Sequence, residues 1–371
     1  MDIKGRRVWQ IGAGDGERVY NDMLLDWDIV AVGDGSYGRW PDCVESYRED
    51  YGDRSVTTLE RLTTGMQAGD IVVLRLGKSS VFGLGIVEGD YAWYDDLGDV
   101  DGWALQHCRR VRWVWKYDGK QPKMFPENTL KFGDTVQQTD SPGLLEWIRE
   151  VSCSQEQMVR PLVVLPSTCI DGQPLPPLSL DQISQFLYDR GVAADNIDAL
   201  TTRMTDLVRI ASWYGRSAEH PAERETVAYL AVPLLRSLGW TPQRMAIEWN
   251  RIDIALFDAL PRSDSNLVVA VEAKRRNRTC FTSHTQVFGY AREPARERCT
   301  RAISTEGLRY SAFGRNGNGD FEPRPHAYLN LTRLISNYPL LGCAGAKEAL
   351  SLMGADWSTP AQAAKAAGGV L

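Results

Sequence analysis

Two carboxylates and a lysine near the middle of the second half have the types and spacing for phosphate chemistry. They are Asp253, in RIDIALFD, and Glu272 and Lys274, in LVVAVEAK. Both segments read as strands, rich in β-branched and aliphatic residues. Side chains alternate along a strand, so Glu272 and Lys274 share one face of theirs, while Asp253 lies opposite Ile252, Ile254 and Leu256 on its own. If the two strands are neighbours, Asp253 stands beside Glu272. Two carboxylates converging at strand ends form a hard oxygen-donor site suited to Mg²⁺, with Mn²⁺ as a substitute. A lysine on the same face can orient a water or stabilise charge on a phosphoryl group. The expected chemistry is metal-dependent hydrolysis of a phosphodiester.

The elements around these residues follow from pattern. MAIEWNRIDIALFD (245–258), LVVAVEAK (267–274) and PHAYLNL (325–331) predict strands. AERETVAYLAVPLLRSLGW predicts an apolar helix ending at Gly239, kinked or divided by Pro233. SHTQVFGYAREPARERCTRAI (283–303) predicts a helix interrupted near Pro294. Upstream, SLDQISQFLYDRG is capped by Ser179 and ends at Gly191, and a second helix carries the stripe Ile197, Leu200, Met204, Leu207 and Ile210. RPLVVLPSTCIDGQPLPPLSL (160–180), with its prolines, reads as a linker.

Charge divides the chain. Residues 1–200 hold 20 Lys/Arg against 32 Asp/Glu; residues 201–371 hold 22 against 16. The basic residues gather from 274 to 301, where Arg275, Arg276 and Arg278 directly follow the lysine. Such a cluster can meet a phosphate backbone, which positions nucleic acid without reading its sequence. Seven scattered cysteines, none in a C-x-x-C pair, and four scattered histidines argue against a disulfide framework or a structural zinc site. There is no G-x(4)-G-K-[ST] loop for a nucleotide cofactor. The start, MDIKGRRVWQ, lacks the apolar core of a signal peptide, which predicts a cytoplasmic protein.

The pattern D-x(18)-E-A-K resembles the PD-(D/E)xK nuclease superfamily, with its restriction-endonuclease-like fold. Ile252 stands where that name has proline. Gln286 and Tyr290, four residues apart, resemble the Q-x-x-x-Y motif of nucleases of the RecB type and of the N-terminal nuclease of type I restriction R subunits. The helix beginning E225-T-V-A-Y resembles the first helix of those subunits, which implies that Glu225 reaches the metal site, with Glu223 as the weaker candidate. The resemblance implies a C-terminal α/β domain with a central mixed sheet over 201–358. In it Asp253, Glu272 and Glu225 would bind metal, Lys274 would position water, and Gln286 and Tyr290 would support the site or contact DNA.

Residues 1–138 predict short strands and few helices, in the manner of a small, partly closed β-barrel. In VRWVWK, alternation puts Trp113 and Trp115 on one face, away from Val114. GDIVVLRLGKSSVFGLGIVEGDYAWY and HCRRVRWVWK resemble the EVE and PUA-like domains, whose members bind modified nucleotides or RNA. A pocket there would stack an extracted base on aromatic rings. The candidates are Trp9, Tyr37, Trp40 and Trp93, with Tyr91 and Trp113 as further rings and Asp34 as acceptor for an exocyclic amine. The sequence thus predicts a multi-domain α/β protein: a reading domain (1–138), a helical linker (139–200), a nuclease (201–358) and a flexible tail (359–371). It predicts a modification-dependent DNA endonuclease acting as a homodimer, with an RNA-directed nuclease or a silent nucleic-acid-binding protein as alternatives.

Overall fold

The computed structural model describes all residues except 15–17, 132, 167–168, 171–172, 175, 217–220, 276–282 and 356–371. The chain forms two compact units, Met1–Ser167 and Thr168–Leu371, each mixed α/β and each built on one mixed sheet. No helix among the described residues is long and apolar enough to cross a membrane.

In the first unit the strands are β1 (Val8–Gly12), β2 (Ile29–Val32), β3 (Ile71–Leu76), β4 (Ser80–Trp93), β5 (His107–Lys116), β6 (Lys123–Met124) and β7 (Val136–Gln138). Their order is β2-β5-β4-β3-β1-β7, with β6 on β4. This path has two ends, so the sheet is open, and the expected barrel is not closed. β1 and β3 are parallel, and the crossover between them holds helices α1 (Asn21–Asp26) and α2 (Val44–Glu60). Helix α2 bends at Gly52, whose φ is +75°.

A register shift between Leu84 and Gly85 on β4 changes which way the β5 tryptophans point. Trp113 packs toward α1 and donates its indole N–H to the Leu24 carbonyl. Trp115 instead meets Trp147 edge-on. The expectation that the two share a face fails because simple alternation does not survive a bulge.

Segment 139–200, expected to be a linker, is divided between the units. Helix α3 (Pro142–Glu150) buries Leu144 and Ile148 against Val8, Ile71, Val73 and Leu84 of the first sheet. The chain beyond it is clasped by the fully buried Asp28, which accepts from Nη1 and Nη2 of Arg160 (2.9 and 2.6 Å) and from the Val163 N–H. Helices α4 (Leu180–Asp189) and α5 (Ala194–Arg216) belong to the second unit, where Ile183, Leu187, Leu200 and Leu207 are buried.

The second sheet contains β8 (Met245–Trp249), β9 (Ile252–Phe257), β10 (Leu267–Ala273), β11 (Arg301–Thr305), β12 (Arg309–Gly314), β13 (Ala327–Asn330), β14 (Asn337–Tyr338) and β15 (Cys343–Ala344). The order is β8-β9-β10-β11-β12-β13-β15-β14. Strand β10 is buried along its whole length, which its unbroken apolar run LVVAV requires. One face, with Ile254, Leu256, Val269, Val271 and Ile303, packs on α5, on α6 (223–237) and on α8 (Ala346–Met353). The other, with Ala255, Phe257, Ala270 and Ala302, packs on Val287, Phe288 and Ala291 of α7 (His284–Ala291). The helix expected over 283–303 therefore ends at Ala291; Pro294–Arg296 is a single 3₁₀ turn, and β11 follows. Helix α6 is broken as Pro233 predicts: a π-helical stretch, Thr226–Ala231, precedes the proline, which has no N–H to continue the ladder.

Candidate functional site

Strand pairing assembles the second unit's site. β9 runs antiparallel to β10 with Ile254 opposite Val271, which sets Asp253 beside Glu272 at the ends of the two strands. β11 runs parallel to β10 and places Ser304 beside Glu272 on the other side. The Asp253 carboxylate accepts the Ala273 N–H at 2.7 Å. Lys274 forms an ion pair with Glu272 Oε1 and donates to Gln286 Oε1 at 3.1 Å. Gln286 Nε2 donates to the Tyr290 hydroxyl at 3.0 Å. Gln286 and Tyr290 lie on one side of α7 because they sit four apart, and Gln286 reaches Lys274 from there. Five residues from two strands, the residue after one of them and a helix thus come together, and the four from Glu272 to Tyr290 are joined by hydrogen bonds.

The carboxylates are in a hostile place for charge. Glu272 is 1% exposed, and its Oε2 is buried with no partner among the described residues. Burial, then the negative charge of Asp253, push its carboxyl up to about 7, with Lys274 opposing. Burial also raises Asp253, and Glu223 and Glu248 add to it. A buried carboxylate oxygen without a donor costs free energy that a cation would relieve. The donor set is all oxygen, which fits a hard divalent ion. Among the described residues no three His, Cys, Asp or Glu side chains converge to hold a metal. The chain's own share of a shell here is two carboxylates, and Mg²⁺ sites that use one or two carboxylates draw the remainder from water and phosphate oxygens.

Glu225 does not join the cluster. Its carboxylate turns back to accept the Ala222 N–H at 2.8 Å, capping α6. Glu223, two residues earlier, is the glutamate of this helix start whose charge bears on both Asp253 and Glu272. The basic cluster is also less uniform than its sequence suggests. Arg275 is exposed beside the site. Arg276 and Arg278 lie outside the described residues. Arg296 and Arg301 are buried structural groups, the first paired with Asp264 and Glu293, the second donating to the Leu352 and Gly354 carbonyls.

The first unit contains a cavity of about 560 Å³ between the ends of β1 and β2, helix α2 and residues 102–105. Asp34 lines it. The aromatic candidates do not. Trp9 is core, 4% exposed, its indole N–H given to Asp70 at 2.9 Å. Trp93 donates to Asp95 and meets His107 edge-on, while Tyr37 donates to Asp50. Trp40 is half-buried away from the lining. The rings that do line the cavity are Tyr20, Tyr47, Tyr51 and Trp103. Tyr47 and Tyr51 lie four apart in VESYREDYGD, a helical spacing that would have pointed to them had the helix been placed at Val44. Tyr47 donates to the Gly33 carbonyl at 2.9 Å, and Tyr51 reaches Asp34 Oδ2 at 3.4 Å, so helix and strand end are tied together at the cavity wall.

No curated protein matches the chain. Residues 9–138, which lie wholly within the first unit and include the cavity lining, match the model of a family described as a domain of unknown function (DUF8426).

Proposed function

We propose that the chain is a modification-dependent DNA endonuclease, whose second unit hydrolyses phosphodiester bonds and whose first unit reads a modified base. The observation that supports it most is the hydrogen-bonded chain Glu272, Lys274, Gln286 and Tyr290 with Asp253 beside Glu272, and an orphaned buried carboxylate oxygen on Glu272. Asp253 and Glu272 would hold Mg²⁺ or Mn²⁺, which when bound supplies Lewis-acid stabilisation of the phosphoryl oxygens. Lys274 orients the attacking water and meets the negative charge that grows on phosphorus. Gln286 fixes the ammonium by accepting from it, and Tyr290 fixes Gln286. Arg275, exposed at the strand end, would contact the backbone of the bound strand. With one such site per chain, cutting both strands calls for a homodimer.

The test is cleavage by the full chain with Mg²⁺ or Mn²⁺ of matched DNAs carrying plain or modified cytosines, and of RNA. Lys274→Ala is run alongside. The reading expects cleavage of modified DNA that the variant loses by at least about 100-fold, the scale of removing one transition-state donor. Equal cleavage by variant and wild type would remove Lys274 from the site. Cleavage of RNA alone would replace the DNA reading.

A further inference from the structure

The cavity of the first unit is larger than a base needs, and its lining mixes apolar residues with aromatic rings, hydroxyl-bearing side chains and one carboxylate. We infer that it takes a base carrying a sugar-sized, hydroxyl-bearing substituent, such as a cytosine with a hexose linked through its 5-position. This deepens the reader assignment above and rests on it.

Size is the first argument. At the packing density of protein interiors, a pyrimidine with its exocyclic groups fills roughly 150 Å³, and a methyl or hydroxymethyl group adds little. That leaves most of the 560 Å³ cavity empty. A hexose adds roughly 200 Å³ and brings the occupant to the scale of the space. Lining chemistry is the second argument. Ser55, Thr58 and Thr135 line the cavity with hydroxyl-bearing side chains, of which the Thr58 hydroxyl also donates to the Arg54 carbonyl, and Tyr51 and Trp103 bring aromatic rings. Rings cover the apolar face of a sugar, and hydroxyls and a carboxylate meet its edge. Charge is the third. Among the described lining residues Asp34 is the one formally charged side chain. It is held in place by the Ser36 N–H at 2.9 Å and by Tyr51. A carboxylate accepts hydrogen bonds from an amine or a hydroxyl and repels phosphate, so the nucleotide's backbone stays outside. Gly12 and Gly33 line the same space and keep the strand ends free of side chains there.

The experiment measures binding of the full chain, in EDTA to prevent cleavage, to one duplex with a single cytosine in four forms: plain, 5-methyl, 5-hydroxymethyl and glucosylated 5-hydroxymethyl. The glucosylated duplex is expected to bind at least about 10-fold tighter than the other three. Asp34→Asn, which keeps the shape, and Ser55→Phe, which fills part of the cavity, are each expected to remove that preference while the melting temperature shows the unit still folded. Tightest binding to the methyl or hydroxymethyl duplex would overturn the sugar inference and leave a reader of small modifications. Equal binding of all four would overturn both the inference and the reader. A preference for the glucosylated duplex that survives both substitutions would place recognition elsewhere and overturn the cavity assignment.

Discussion

His107 makes the first unit sensitive to acid, and the size of the effect can be worked out. The side chain is fully buried on β5, its Nδ1 3.0 Å from the Tyr91 hydroxyl, its ring stacked near Tyr91 and edge-on to Trp93. Its Nε2 is buried without a partner among the described residues. Burial pushes the imidazole down from 6.5 to about 4, although the charge of Asp34 acts the other way. Between those values the unfolded chain binds a proton that the folded chain refuses. Stability therefore rises with pH across this window and is lost as pH falls from about 6.5 to 4. At about 1.36 kcal/mol per pH unit the loss reaches about 3 kcal/mol by pH 4. His107→Phe keeps an aromatic ring between Tyr91 and Trp93 and removes the titrating site. Urea denaturation of wild type and variant at pH 7.5, 6, 5 and 4 isolates the term, because carboxylates elsewhere titrate equally in both. Wild type should lose about 3 kcal/mol more than the variant over that range. Parallel pH profiles would show instead that the imidazole is solvated in the folded protein.

Glu272 predicts the opposite sign for the second unit: its carboxyl is raised from 4.5 to about 7, so in EDTA stability falls by about 3 kcal/mol as pH rises through that window. Glu272→Gln should flatten this dependence in denaturation curves at pH 5 and 8, and an unchanged slope would show that the carboxylate is not buried as described. Gly85→Ala should destabilise the first unit by about 1–3 kcal/mol, because an added Cβ would meet Val111 and come within 2.8 Å of the Trp113 ring and 2.9 Å of the Arg112 carbonyl. Gly143→Ala, on the exposed side of α3 with nothing nearer than 4.0 Å, should be neutral or stabilise by up to about 1 kcal/mol; thermal melts of the two glycine variants beside wild type check both expectations.

The grouping of side chains in the second unit was legible because it obeys local periods. Strand alternation puts Glu272 and Lys274 on one face, helical spacing puts Gln286 and Tyr290 on one face, and an apolar run as pure as LVVAV belongs to a central strand. Each of those rules needs only neighbours in sequence. Which glutamate of ERE faces the carboxylates was not legible, because a helix N-terminus with unsatisfied N–H groups captured Glu225. Nor was the fate of the arginines: Arg296 and Arg301 read as surface charge, but partners distant in sequence draw them inside. In the first unit the sequence supplied many aromatic rings and no means of ranking them. Trp9 and Trp113 look as suitable as Tyr51 and Trp103, since a ring that fills a core and a ring that lines a cavity have the same composition signal. Only the register shift on β4, the start of α2 and the open ends of the sheet decided which of them meet empty space. A local period repeats along the chain and can be read from it; a cavity is bounded by segments far apart in sequence and exists only once they have packed.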